Sequence, residues 1–430
     1  MRGEKKVREA FGTLRVATTS DARQLAKRLA LSASQHWDRE KDSVPGLVDV
    51  IDFFSGCGGV SAGFRIVNSA LPIYRITGAL DIDEVANDSY EQNFGARPEM
   101  RNVSVLARNS KSLDDFIASR TQRDRPLVMI GCAPCQGFSS HRNAEGEGDP
   151  RNSLVVDFAR IVSKVKPDAV IIENVPELLT YRYWPVLQET RRILQRSGYF
   201  VNVAIHNMAH FGVPQERFRV VITAMRQEFG PLEGFIARKE YRTVRDAIGH
   251  LPPVMAGAKT ANDPMHYSAG HSASTIATIR ATPKDGGSRP MSAGPECLRR
   301  AAIRNGKPVY EDVYGRLKWD APAITITAYS RNPASGRFVH PDQDRGLTVR
   351  EAALLQGFPA TYSFSGSLDQ RFRQIGNAVP PPFSTAMAVF IASQFAGLKG
   401  NQRFQEGVVD PVGASFSRMI PSLKLKEREG

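Results

Sequence analysis

Cysteine is scarce in this chain: four in 430 residues, at Cys57, Cys132, Cys135 and Cys297. That density excludes a disulfide-stapled secreted scaffold and makes an intracellular, reduced compartment the expected setting. Cys132 and Cys135 form a C-x-x-C, and no second pair stands at zinc-ligand spacing, so no metal site is expected. A thioredoxin-like redox pair stays open on spacing alone. Long apolar runs are missing too. No window approaches the roughly 18 apolar residues of a membrane span. Met1-Arg2-Gly3-Glu4-Lys5-Lys6 lacks the apolar core of a secretion signal. Acidic residues fall short of basic ones, 44 against 57, for a formal net charge of +13. Such an excess favours a polyanionic partner, nucleic acid above all, although a basic surface can also serve solubility alone.

What is present suits ordinary folded domains: 41% hydrophobic and 23% charged residues, in a chain long enough for two or more domains. Residues 1–45 are basic and polar. Ser20 is placed to cap a helix over about 21–32, with Leu25, Ala26, Leu29 and Ala30 on one face. A helix-turn-helix reading of this stretch is weaker than that of a solvated arm.

From Leu47 the pattern changes. Short apolar runs at 47–54, 74–81, 127–132, 168–175, 200–207 and 218–225 alternate with helical segments at 60–69, 84–93, 154–165 and 184–197. Near-continuous Val, Ile and Ala suits strands buried on both faces. The alternation predicts an α/β fold with a parallel sheet covered on both sides, its ligands beyond the carboxyl ends of the strands. Between Gln227 and His340 Pro, Gly, Ser and scattered charges dominate, and only 322–327 reads as a strand. This stretch is expected to form most of a second, loop-rich domain. A helix at 348–355 and an apolar helix at about 383–395 follow. The expected divisions are 1–45, a basic extension; 46–226, the main domain; 227–357, the loop-rich domain; 358–399, a return to the main domain; and 400–430, a mobile tail.

Five constellations carry chemistry. The run Leu127-Val128-Met129-Ile130 delivers Cys135 into a turn fixed by Pro134 and released by Gly137. A thiolate there is a strong nucleophile if a neighbour lowers its pKa or takes its proton; otherwise Cys135 is a small buried hydrophobe. Asp52-Phe53-Phe54-Ser55-Gly56-Cys57-Gly58-Gly59 lets backbone approach a ligand at a helix start, a pattern that dinucleotide binding shares. In Asp81-Ile82-Asp83 an acid at a strand end can accept both hydroxyls of a ribose. Glu173-Asn174-Val175 ends a buried run, where a carboxylate is costly unless paired or used. Gln215-Glu216-Arg217-Phe218-Arg219 puts two arginines on one side of a strand.

Pro134-Cys135-Gln136-Gly137-Phe138-Ser139 resembles the nucleophile motif of the DNA (cytosine-5)-methyltransferases. The glycine turn continuing through Gly63-Phe64, Tyr90-Glu91-Gln92-Asn93-Phe94, Glu173-Asn174-Val175 and the two-arginine run resemble further motifs of that family, in its order. So do Arg345-Gly346-Leu347-Thr348-Val349-Arg350-Glu351-Ala352 and Gly376-Asn377-Ala378-Val379-Pro380. The likeness spans about residues 48–225 and 345–395. Ala133 replaces the first proline of the nucleophile motif.

The resemblance implies a Rossmann-like S-adenosylmethionine-dependent methyltransferase sheet with a smaller loop-rich target-recognition domain. It implies S-adenosylmethionine as cofactor, duplex DNA as partner, a monomer in the cytoplasm at the nucleoid, and neither metal nor membrane. By the same likeness Phe54 lies against the adenine or sulfonium side, and Gly56 and Gly58 line the amino-acid part. Asp81, a methylene shorter than the family's usual Glu, takes the ribose. Ile82 stands where an aromatic more often stacks on adenine, Asn102 where an Asp meets the adenine amino group, and Asn377 at the methionine end. Cys135 is the implied nucleophile and Glu173 the partner of the ring nitrogen. Arg217 and Arg219 are implied in the base pocket, Arg219 on the cytosine O2. Residues 137–150 are expected to form a lid, with Arg142 on a phosphate, and a role protecting DNA beside a restriction endonuclease is the family expectation. The rivals are the same chemistry on tRNA, a non-catalytic nucleic-acid binder on this scaffold, and, from the glycine turn alone, an NAD-type oxidoreductase.

Overall fold

Runs of Val, Ile, Ala and Met too short for helices and apolar on both sides become strands. They are β1 (Val48–Phe53), β2 (Tyr74–Leu80), β3 (Leu127–Gly131), β4 (Ala169–Asn174), β5 (Phe200–Asn207) and β6 (Phe218–Met225). The structure, a computed structural model, describes residues 2–33, 37, 46–122, 124–134, 154–180, 183–299, 303–304, 307–308, 310–398 and 408–409. In it the strands form one sheet in the order β2-β1-β3-β4-β6-β5, and the short segment Val408–Val409 adds at the β5 edge.

The neighbours β2, β1, β3 and β4 are parallel, but β6 runs antiparallel to both β4 and β5. An entirely parallel sheet is therefore corrected to a mixed one. The connection from β5 to β6 holds only a 3-10 turn, Met208–Phe211, and no crossover helix. Without a crossover two successive strands can pair only antiparallel. The chain passes from β1 outward to β2 and returns to β3 on the other side of β1. The carboxyl ends of β1 and β3 thus flank the point where the winding reverses, where a crevice opens in such sheets.

Alternation sorts the strand residues into two cores. Val48, Val50, Val128, Ile130 and Ile171 face one; Ile51, Phe53, Met129, Val170 and Ile172 face the other. The second is covered by α5 (Val103–Arg108), α6 (Ser110–Ala118), α7 (Leu154–Val165) and α8 (Trp184–Arg196). The first is covered by α3 (Gly59–Asn68), which precedes α4 (Glu84–Phe94), and by α14 (Pro381–Phe395). The stretch Leu368–Phe395, which includes α14, is long and apolar enough to cross a membrane, yet 83% of its most apolar window is buried inside the fold.

The N-terminal residues are not a solvated arm. α1 (Arg2–Thr13) and α2 (Thr19–Leu31) pack against α14, burying Val7, Phe11, Leu25 and Leu29. α14 buries Phe383, Met387, Val389, Ile391 and Phe395 around its circumference, so it needs cover on more than one side. The cap of α2 is Thr18, in a reciprocal box with Asp21, rather than Ser20. Trp37 packs on Phe94 and Tyr362, with the Arg65 guanidinium 5.0 Å from its ring centre.

The loop-rich region carries α9 (Val244–Ile248), α10 (Ala273–Ala281) and α11 (Glu296–Arg299). The stretch expected as a strand at 322–327 forms one bridge, Ala323 to Gln215, and no ladder. Side chains replace the missing partner: Gln215 Oε1 accepts from the Ile326 N–H at 3.0 Å, and Thr325 Oγ1 donates to the Glu216 carbonyl at 2.9 Å. The chain then returns through α12 (Val349–Leu355) and α13 (Leu368–Asn377) to α14.

Candidate active site

The glycine turn bends sharply beyond β1. Phe54, Gly56 and Gly58 have φ of 58°, 52° and 91°, the left-handed region that an L side chain adopts only at a cost. A bulky residue held there is a mark of functional strain. A Cβ at Gly58 would collide with the Phe94 ring and one at Gly59 with the Val379 carbonyl, so only glycine fits either position. At Gly56 nothing stands within 4 Å of where a Cβ would point.

Asp81, just past β2, joins this turn. Its Oδ2 accepts from the Gly56 N–H and its Oδ1 from the Asp83 N–H, both at 2.8 Å. Burial pushes its pKa up, and these two N–H groups partly offset that. Ile82 is 67% exposed on the rim. Asn102 is exposed and caps α5, its oxygen accepting from the Ser104 N–H. Asn377, the last residue of α13, is also exposed. Arg373 of the same helix reaches back to Asp83, Nη2 to Oδ2 3.0 Å.

β3 and β4 are parallel neighbours. Past β3 the described chain ends at Pro134. Cys135, the expected lid 137–150 and Arg142 lie outside the described residues. The approach to Cys135 is anchored: Asn174 Nδ2 donates to the Ala133 carbonyl at 3.3 Å, and the Cys132 N–H to the Phe53 carbonyl at 3.4 Å. Glu173 is 8% exposed, and its Oε1 stands 3.1 Å from Nε of Arg219. Burial raises the Glu173 pKa, and the charges of Arg219 and Arg217 only partly counter it. Cys132, the first cysteine of the C-x-x-C, is half-buried. Burial, with the charges of Glu173 and Asp52, pushes its pKa well up, whereas reactive C-x-x-C thiols are shifted down.

Arg217 and Arg219 have different surroundings. Arg219 faces Glu173, while Arg217 is fully buried. Its Nη1 donates to the Ile326 carbonyl at 3.0 Å, and its Nη2 to those of Gly376 and Ala378 at 2.9 and 3.3 Å. Among the described residues no group of three His, Cys, Asp or Glu stands together as a metal site would require. A strained glycine turn, an acid at the next strand end and a buried Glu–Arg pair thus share the carboxyl edge of one sheet.

The profile of the family described as C-5 cytosine-specific DNA methylase matches residues 48–393, about four-fifths of the chain. The chain belongs to this family. The methylase is 32% identical over 361 residues to the type II methylase M.HgiDII of Herpetosiphon aurantiacus, covering 82% of this chain and 98% of that one. It is 34% identical over 346 residues to the type II methyltransferase M1.HphI of Haemophilus parahaemolyticus, covering 79% and 85%. Among solved structures, the methyltransferase EhMeth of Entamoeba histolytica has the same fold, with TM-score 0.54 and 19% identity over 82% of this chain and 99% of that one.

Two groups in the methylase escaped sequence reading. Asp52 was visible only as a letter of the glycine motif. It is buried, its Oδ2 accepts from Ser61 Oγ at 2.7 Å, and its Oδ1 has no hydrogen-bond partner among the described residues. Burial, with Asp81 nearby, pushes its pKa up to about 7 against the Ser61 hydrogen bond. Gln215 and Gln356 meet through Nε2 and Oε1 at 2.6 Å, and Gln356 Nε2 donates to the Ala378 carbonyl, also at 2.6 Å. Their separation in the chain hides that pairing; a polar residue inside an otherwise apolar helix end was the available signal.

Proposed function

We propose that this methylase transfers a methyl group from S-adenosylmethionine to C5 of a cytosine flipped out of duplex DNA, through a transient bond between the Cys135 sulfur and C6. The observation that carries the reading is the buried Glu173–Arg219 pair beside the anchored approach to Cys135, one strand from the glycine turn.

The turn suits an adenosyl amino acid. The face of Gly56 is open, and the carboxylate of Asp81 keeps acceptor sites beyond the two N–H groups it binds. Phe54, Gly56, Gly58, Asp81, Ile82, Asn102 and Asn377 would hold the cofactor. When bound there it supplies an electrophilic methyl group. The protein makes C5 able to take it. The Cys135 thiolate adds to C6, and Glu173, its pKa raised, presents a proton to N3. Arg219 holds Glu173 in place and reaches toward O2. Electron density gathers at C5, which takes the methyl group. Loss of the C5 proton to a base then expels the thiolate, and N3 returns its proton to Glu173, which restores the aromatic ring and the acid. The carbon is out of reach in a stacked duplex, so the base leaves the stack. Residues 227–357 read the target. Protection of DNA beside a restriction endonuclease is the role that the type II relatives support.

The test incubates the protein with methyl-labelled S-adenosylmethionine and either plasmid DNA or tRNA. The expected product is 5-methylcytosine in the plasmid, absent with Cys135→Ala. Label in tRNA alone, or at an exocyclic nitrogen, overturns the reading.

A further inference from the structure

We infer that Arg217 is a positioning residue that locks the target-reading segment to the methionine end of the cofactor site, so that duplex binding and cofactor binding report on each other. The inference rests on the proposed function and extends it to the buried guanidinium of Arg217, which is held by three backbone carbonyls.

Three segments distant in sequence meet at this guanidinium. Arg217 belongs to the turn entering β6, Ile326 to the loop-rich region, and Gly376 and Ala378 flank Asn377. A planar fork with several fixed donors can hold carbonyls from different segments in one geometry; an ammonium on a flexible stem cannot. The backbones also touch. A Cβ at Gly376 would collide with the main chain of Thr327 and Ala328, so that segment is seated directly on the residue before Asn377. On its other side the same stretch meets the glycine turn, where a Cβ at Gly59 would strike the Val379 carbonyl. Gln356 adds a second tie, donating to the Ala378 carbonyl while accepting from Gln215, whose own oxygen accepts from the Ile326 N–H.

This junction leads outward to a surface residue. Tyr329 follows Ala328 directly and is 67% exposed, a large aromatic at the end of a segment whose root is clamped. A duplex that displaces Tyr329 pushes on residues 326–328, and they cannot shift without moving Gly376 and Asn377. The coupling is reciprocal, because linkage requires it: whatever S-adenosyl ligand does to duplex affinity, duplex does equally to ligand affinity.

The test measures duplex affinity with and without S-adenosylhomocysteine, which cannot turn over, for the full native chain and for Arg217→Lys. The duplex carries the sequence that the native chain methylates. In the native chain the ligand tightens duplex binding about tenfold or more. In Arg217→Lys that factor falls to near one, while binding of S-adenosylhomocysteine alone changes only a few-fold. A merely structural role would weaken both affinities and leave their ratio intact. An unchanged ratio in Arg217→Lys, or no coupling in the native chain, overturns the inference. If Arg217→Lys does not fold, Gln356→Met and hydrogen exchange on the native chain take its place. Gln356→Met is expected to lose the coupling, and S-adenosylhomocysteine is expected to slow exchange across residues 324–329. Unchanged exchange there overturns the inference. Failure of the proposed function is separately visible, since the native chain would then methylate no DNA.

Discussion

Arg219 sets its Nε 3.1 Å from Oε1 of Glu173 inside a site where both side chains are largely removed from water. Antiparallel pairing places Glu173 of β4 opposite Val221 of β6, two residues along from Arg219. The antiparallel β6 is therefore not a detail of topology: it delivers the cation to the acid. A buried acid without the arginine would be a plain desolvated carboxyl; the charge of Arg219 partly counters that desolvation.

Glu173→Gln is expected to leave the fold intact and to cut single-turnover methyl transfer by about 10² to 10⁴, the range for loss of a positioned proton donor. Native activity should fall as pH rises through the raised Glu173 pKa, because the protonated acid is the working form. Removing the cation with Arg219→Leu lifts that pKa further, so the falling limb of its residual activity moves to higher pH. A limb that stays in place would show that Glu173 is not the titrating group.

Asp52 makes a prediction about stability. Its pKa is raised from 3.8 to about 7 in the folded state, chiefly by burial. The folded state therefore prefers the protonated acid. This contribution is fully present below about pH 4 and is lost as pH rises through about 7. Asp52→Asn cannot ionise, so its melting temperature should decline less between pH 5 and pH 8 than that of the native chain. Parallel profiles in thermal denaturation would contradict this.

Arg345 and Glu351 form a fully buried two-point pair, Nη1 to Oε2 and Nη2 to Oε1, both 2.8 Å. Burial alone would push Glu351 up, but the hydrogen bonds and charge of Arg345 more than reverse it. A depressed folded pKa gives stability that is present above about pH 4.5 and lost as pH falls through the lower folded value. Arg345→Met strands the carboxylate and should cost about 3–5 kcal/mol in denaturant unfolding at neutral pH. It should cost less near pH 4, where Glu351 can protonate.

The N-terminal helices belong to the core built around α14. Leu29 is fully buried where α2 meets α14, so Leu29→Ala should cost about 2–5 kcal/mol of unfolding free energy. Removal of residues 1–33 should expose α14 and leave the protein poorly soluble. A truncated chain with native melting behaviour would contradict the packing.

The sheet was legible because buried parallel strands read as continuous runs of Val, Ile and Met. The glycine turn, the acids at strand ends and the strand-end arginines were legible because they keep fixed local spacing. The direction of β6 was not, since an apolar run looks the same either way along the sheet. The packing of α2 was missed because its apolar stripe, Leu25, Ala26 and Leu29, is short and sits among charges, while its acceptor, α14, lies far along the chain. Arg217 and Arg219 look equivalent in sequence, two residues apart on one side. Only three-dimensional neighbours separate them, one on a carboxylate and the other on three carbonyls. The segment at 322–327 alternates like a strand but is held by Gln215 and Thr325 side chains, which no periodicity reveals.

The most direct measurement is bisulfite sequencing of plasmid DNA from cells expressing this chain, beside cells expressing Cys135→Ala. Cytosines protected in one short sequence context, and unprotected in the variant, are the expected result. Protection that survives Cys135→Ala would contradict the thiolate route. No protection at all, from a folded protein that binds S-adenosylmethionine, would contradict methyl transfer to C5 of DNA.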